Sequence, residues 1–206
     1  MRFAAAVRAP KPLLSSAAER GLSARQLELL DELEERVVAA GLAELTMAGI
    51  AALLNCSLRT LYGISPSKDE LVLTVVDRRL QRIGRRAFEA LESQPSPLDA
   101  LRAYLQAAGE AVQPQTVFFS RDLIGIPSAQ PLLDAHENYV MAVTRELLDR
   151  AVEAKEIAPV DTAAVAHVLG GLGREFARPE LRDLTHGSPK LTADAVSEII
   201  LKGLAS

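Results

Sequence analysis

Apolar residues recur along this chain at three- and four-residue intervals, and nowhere do apolar and polar positions alternate long enough to predict a strand. Leu27, Leu30, Leu33, Val37 and Val38 give one apolar face to a helix over about 24–40, ended by Gly41. Two short helices follow at about 47–54 and 58–63. The next opens with Ser67 as N-cap and carries Asp69 and Glu70 in its first turn, where carboxylates favour the helix dipole. It runs to about Glu92, and the run Gln94-Pro95-Ser96-Pro97 is the strongest break along the chain. Five more helices fall at roughly 97–112, 115–124, 128–155, 161–178 and 192–204, with Asp161 and Thr192 placed as caps. The predicted fold class is all-α.

Residues 45–71, LTMAGIAALLNCSLRTLYGISPSKDEL, read as a helix-turn-helix running straight into a long helix. Ile50, Ala51, Leu54, Cys56, Leu61 and Ile64 form its internal packing set, with the small Ala51 where the two backbones come closest. The turn between such helices needs one residue with positive φ. Asn55 holds that position, and asparagine is among the few non-glycine residues that enter the left-handed region routinely. Ser57 reads as the N-cap of the second helix, which turns Leu58, Arg59, Thr60 and Tyr62 outward, toward a DNA groove.

Composition permits this reading without requiring it. The 206 residues are 49% apolar and 24% charged, enough for a sizeable core in one or two small helical domains. The lone cysteine, Cys56, rules out an intramolecular disulfide framework and suits a reducing, cytoplasmic setting. No apolar run is long enough to predict a membrane span. The opening MRFAAAVRAPKPLL is broken by Arg8, Lys11 and two prolines, so it is expected to be a disordered basic arm rather than a signal peptide.

The net charge of −4 looks wrong for a DNA binder until its distribution is followed. Residues 1–91 hold 13 basic and 11 acidic side chains, whereas residues 92–206 hold 10 and 16. Within the first part an acidic helix, with Glu28, Asp31, Glu32, Glu34 and Glu35, separates two basic stretches. A basic N-terminal half on an acidic body suits a small DNA-reading module, though ordinary solvated helix faces would give the same counts.

The motif resembles the tetracycline-repressor (TetR) family of bacterial transcription regulators. The resemblance runs in order through Thr46, Ile50-Ala51, Cys56-Ser57, Thr60-Leu61-Tyr62 and Ser67-Lys68-Asp69-Glu70-Leu71, and covers about residues 24–75. Asn55 stands where that family usually has glycine, and Ser65 where it usually has phenylalanine. The resemblance implies a three-helix DNA-binding domain over about 20–70, after an arm over 1–19, and a larger helical domain over 71–206 that dimerises and binds an effector. Thr46, Ser57, Leu58, Arg59, Thr60, Tyr62 and Lys68 are the candidate DNA contacts. Arg59 is the residue expected at a guanine edge, and Thr46, Tyr62 and Lys68 are expected at phosphates. Phe88, Tyr104, Phe118, Phe119, Tyr139, Met141 and Phe176 are candidates for an effector pocket, with a plain hydrophobic core as the alternative for each of them. Val165, Val168, Leu169, Leu172, Val196, Ile199 and Ile200 are candidates for a homodimer interface, with packing inside the protomer as the alternative. Residues 162–173, TAAVAHVLGGLG, supply the small side chains that let helices approach closely.

Other chemistry is not expected. His136, Glu137 and His167 lack a compact metal-ligand spacing, and Ser120-Arg121-Asp122 lacks the turn and the third partner of a nucleophile. The chain is therefore expected to be a non-enzymatic regulator, without a cofactor or a metal. Its expected partners are double-stranded DNA, a second copy and an unknown small-molecule effector, and not a membrane. A helical ligand-binding or adaptor protein that does not bind DNA remains the alternative.

Overall fold

The computed structural model describes residues 7–40, 45–112, 123, 125–182, 185 and 187–205, and among them it contains helices and no strand. In chain order the helices are α1 (Ser16–Gly21), α2 (Ala24–Ala40), α3 (Met47–Leu53), α4 (Leu58–Tyr62), α5 (Lys68–Glu92) and α6 (Pro97–Ala108), which runs into a 3-10 turn (Gly109–Val112). Then come α7 (Ala129–Glu153), α8 (Thr162–Phe176), α9 (Pro179–Arg182) and α10 (Pro189–Leu204). The helix expected over 115–124 lies outside the described residues apart from Leu123.

Most element boundaries follow side chains that satisfy the first free backbone N–H groups. Ser96 accepts from the Asp99 N–H at 3.2 Å, and Asp161 accepts from the Ala164 N–H at 3.0 Å, as its predicted capping role requires. α10 begins earlier than expected. Ser188, not Thr192, is its cap and accepts from the Leu191 N–H at 3.2 Å, with Pro189 in the first turn, where a missing N–H costs nothing. The expected disordered arm is described from residue 7 and contains α1. The Leu13 N–H donates to Asp77 Oδ2 at 2.7 Å, and Glu19 on α1 pairs with Arg78. No residue of α1 is buried, so periodicity could not signal it.

The chain divides into two compact units. One takes in Lys11–Gln81 together with the described residues of the segment 115–132. Its buried residues include Leu29, Leu30 and Leu33 of α2, Ile50 and Ala51 of α3, Leu61 of α4, and Leu71, Val72, Val75 and Val76 of α5. Arg25 reaches the Leu54 carbonyl, and Gln26 reaches the Thr60 carbonyl, each at 3.4 Å, so α2 brackets the ends of both motif helices.

The other unit takes in residues up to Pro10, Arg82–Pro114 and Leu133–Ser206. Its core joins Leu91, Leu101, Tyr104, Leu147, Leu148, Ala151, Ala166, Leu169 and Leu201, with Val7 packed against it. α10 lies along α8 and against α6. Arg102 on α6 bonds Glu198 on α10 at 2.8 Å, and that bond holds the Glu198 carboxyl below the usual carboxylate range. A Cβ on Gly170 would stand 2.7 Å from Met141 Cγ, so the missing side chain is what lets α8 approach α7.

Two helices end on non-glycine residues with positive φ, Asn55 (49°) and Lys155 (58°). Both close a Schellman turn. The Cys56 N–H donates to the Ala51 carbonyl and the Glu156 N–H to the Ala151 carbonyl, each at 2.9 Å. The position of Asn55 is as the sequence predicted, and the geometry fixes the effect of substitution. Asn55→Gly should melt at or slightly above the parent temperature, and Lys155→Gly above it, because glycine removes the Cβ penalty. Asn55→Val should lose about 1–2 kcal/mol. Thermal unfolding followed by circular dichroism ranks these variants. A valine that matches glycine would contradict the assigned turn.

Candidate nucleic-acid interface

The helix-turn-helix is held by caps and core and leaves one face of α4 free. The Thr46 hydroxyl accepts from the Gly49 N–H at 3.1 Å and starts α3. Ser57 starts α4. Its hydroxyl accepts from the Thr60 N–H at 3.0 Å and bonds the Thr60 hydroxyl at 2.8 Å. Leu61 is fully buried beneath, against Ile50 and Leu54, which are also buried. Leu58, Arg59 and Tyr62 point the other way and are exposed. The Arg59 side chain makes no hydrogen bond or ion pair with any described residue.

Lys68 is the first residue of α5 and is half-buried. Ser67 before it accepts from the Glu70 N–H at 3.2 Å. Ser65, where the resembled family carries a phenylalanine, is 3% exposed, and its N–H donates to the Leu61 carbonyl at 3.0 Å. A small buried residue here replaces an apolar plug. Cys56 is half-buried rather than a full core residue, and burial pushes its thiol up.

The acidic α2 does not present a bare negative face to the reading helix. Arg25 pairs with Glu28 at 3.2 Å and with Glu32 at 3.5 Å, while Arg78 pairs with Asp31 at 2.9 Å and with Glu19. The exposed Arg25 pairs add little stability. Their consequence is local neutralisation. Arg78, one of the α5 arginines, is used inside the unit by these pairs.

In the other unit the aromatic residues expected at an effector pocket are dispersed. Tyr104 is buried in the core, which pushes its phenol up, and Phe88 and Tyr139 pack partly buried against the same core. Met141 and Phe176 are half-buried, and Phe118 and Phe119 lie outside the described residues. A cavity of about 670 Å3 opens beside Glu146, Asp149, Arg150, Val152, Glu153, Pro159, Val160 and Thr162, and none of the expected pocket residues lines it. Nothing in the hydrophobic pattern marked that cavity, whose lining mixes four charged residues with Val152, Pro159, Val160 and Thr162.

The expected interface residues separate into two faces. Leu169 is 3% exposed and sits in the protomer's own core, which removes it from the interface set. Val165, Leu172, Val196 and Ile200 are half-buried. Val168 (49%) and Ile199 (69%) are exposed, and so is Leu191 (64%), which sequence reasoning missed because the helix was started one residue too late to include it. Leu191, Ala195 and Ile199 repeat every four residues and form an exposed stripe on α10. A Cβ on Gly171 would meet nothing within 4 Å, so the small-residue run also has an outward side. Among the described residues no group of His, Cys, Asp or Glu is gathered as metal ligands would be, and no helix is long and apolar enough to cross a membrane.

No family model matches the chain, and no curated protein matches it. Solved structures do. The TetR-family regulator PfmR from Thermus thermophilus is 24% identical, with 86% of this chain and 99% of that chain covered and a TM-score of 0.62. A TetR-family regulator from Agrobacterium tumefaciens is 16% identical, with 88% and 98% covered and a TM-score of 0.69. Reduced NemR from Escherichia coli is 17% identical, with 88% and 97% covered and a TM-score of 0.69. Helix order, the capped helix-turn-helix and this likeness across most of both chains agree: the chain has the fold of the TetR-family transcriptional regulators.

Proposed function

We propose that this chain is a homodimeric transcription regulator that binds a palindromic duplex through α4 and is released or shifted by a small-molecule effector bound in its larger unit. The observation that carries this reading is the outer face of α4. Leu58, Arg59 and Tyr62 stand exposed on a helix whose other side is fixed by Ile50, Leu54 and Leu61, and the Arg59 side chain is not engaged by the described chain. In this reading Arg59 meets a guanine edge, Tyr62 and Lys68 meet phosphates, and Thr46 and Ser57 hold the helices that carry them. Two copies related by a twofold axis would set their reading helices in successive major grooves, about 34–36 Å apart. The proposed contact between copies is the stripe of Leu191, Ala195 and Ile199 with Val168 and Gly171. An effector bound in the larger unit would favour one arrangement of the two copies over another. By habit of the resembled family, repression is the expected output.

Binding should depend steeply on salt, because each copy neutralises several phosphates. Affinity for the best genomic fragment should fall by roughly a thousandfold or more between about 50 and 200 mM salt. Fluorescence-anisotropy titrations that show no binding at low salt would exclude a regulator. Arg59→Ala should cost about 1–3 kcal/mol on the best site and relax sequence choice, whereas Lys68→Ala should weaken specific and random duplexes alike. Equal losses on both kinds of duplex for Arg59→Ala would make it a phosphate contact only.

Ile199→Glu places a carboxylate on the exposed stripe of both copies at once. The variant should run as a monomer by light scattering, keep its helical circular dichroism and lose most operator affinity. Leu169→Glu should instead unfold the protomer, because it buries an unpaired charge in its core. A dimeric, fully active Ile199→Glu would move the interface elsewhere.

A further inference from the structure

Within the site just proposed, the residues of α4 do not share one kind of work. Ser57 and Thr60 spend their side chains on each other. Ser57 Oγ accepts the Thr60 N–H at 3.0 Å and bonds Thr60 Oγ1 at 2.8 Å, which leaves one hydroxyl proton between them. Turning the Ser57 hydroxyl toward DNA would open the cap of a five-residue helix, and turning that of Thr60 would break its bond to Ser57. The side chains left to read a groove are Leu58, Arg59 and Tyr62.

Leu58 is the one among them that can form no hydrogen bond. It is 42% exposed at the first position of α4. Helical side chains lean toward the N-terminus, and the N-terminal residues of a reading helix are the ones that meet base edges. A single exposed leucine is ordinary on any surface. This one is not single. Of the eight large hydrophobic residues exposed among the described residues, three (Leu53, Leu58 and Tyr62) fall within ten residues of the motif. Against a base edge an isobutyl group strips water and returns no hydrogen bond, so a polar edge is penalised. In the major groove only thymine presents a methyl group to meet it.

We infer that Leu58 selects a thymine methyl in each half-site, next to the base read by Arg59. This rests on the DNA-binding reading above. Successive helical residues differ in direction but advance only about 1.5 Å along the axis, so Leu58 and Arg59 address neighbouring base pairs rather than distant ones. The half-site then carries a thymine adjacent to, or one pair removed from, a guanine.

The test uses the full chain and its best retained genomic duplex. Each thymine of the half-site is replaced in turn by deoxyuridine, symmetrically in both halves. The replacement keeps base pairing and the O4 acceptor and removes only the methyl. One position should weaken wild-type binding by about fifteenfold, since each methyl contributes roughly a fourfold factor and both copies lose one. Leu58→Ala should bind the parent duplex more weakly and be indifferent to uridine there, while Leu58→Met, which keeps an apolar tip, should retain the sensitivity. Circular dichroism on both variants separates loss of contact from loss of fold. Wild-type affinity unchanged by uridine at every thymine overturns the inference, as does an equal uridine effect in wild type and Leu58→Ala. Either result leaves the DNA-binding reading intact. A wild-type protein that retains no duplex at low salt overturns both.

Discussion

The structure of the reading module depends on a crossing of two very short helices that could not stand alone. α3 and α4 have seven and five residues, far below the length at which an isolated helix is stable in water. They are held by burying Ile50, Ala51, Leu54 and Leu61, by Thr46 and Ser57 at their starts, and by a left-handed turn at Asn55 that satisfies the last carbonyls of α3. Each of these constraints fixes the rotation of α4 about its axis. That rotation puts Leu61 inside and Leu58, Arg59 and Tyr62 outside. The proposed function follows from this partition, and one residue of slippage in the turn would reverse it.

Electrostatics then decides whether such a face can meet a polyanion on a chain of net charge −4. Three of the acidic residues of α2, Glu28, Asp31 and Glu32, are paired with Arg25 or Arg78, so in the proposed reading the cost of bringing phosphates to this unit is smaller than composition suggests. Most of the excess acid lies beyond residue 91. In the proposed reading, an acidic larger unit would restrict DNA contact to the helix-turn-helix and favour orientation over general stickiness.

Much of this was legible in the sequence, for physical reasons that differ by element. α2 was read to its observed ends because its buried leucines repeat with helical spacing and Gly41 follows it. Asn55 was read because few residues tolerate a positive φ. α1 was not read, since it buries nothing and is held through Glu19 by Arg78, which lies more than fifty positions away, while Asp77 holds Leu13 just before it. The start of α10 was misplaced because Ser188-Pro189 is also a common loop pattern, and only geometry shows the serine capping Leu191. Leu169 could not be separated from Val168 by hydrophobicity alone. One helical step sends the first into the core and the second toward solvent. The cavity between Glu146 and Thr162 mixes charged and apolar lining, which gives no periodic signature in the sequence.

The central claim is that two copies of α4 read one duplex from the same side. Dimethyl sulfate footprinting, which reports guanine N7 in the major groove, on a genomic fragment retained by the purified protein tests this most directly. The account predicts two protected major-groove segments of mirrored sequence, with centres about one helical turn or a whole multiple of it apart. A single protected segment, protection spread evenly along the fragment, or none at low salt would contradict it.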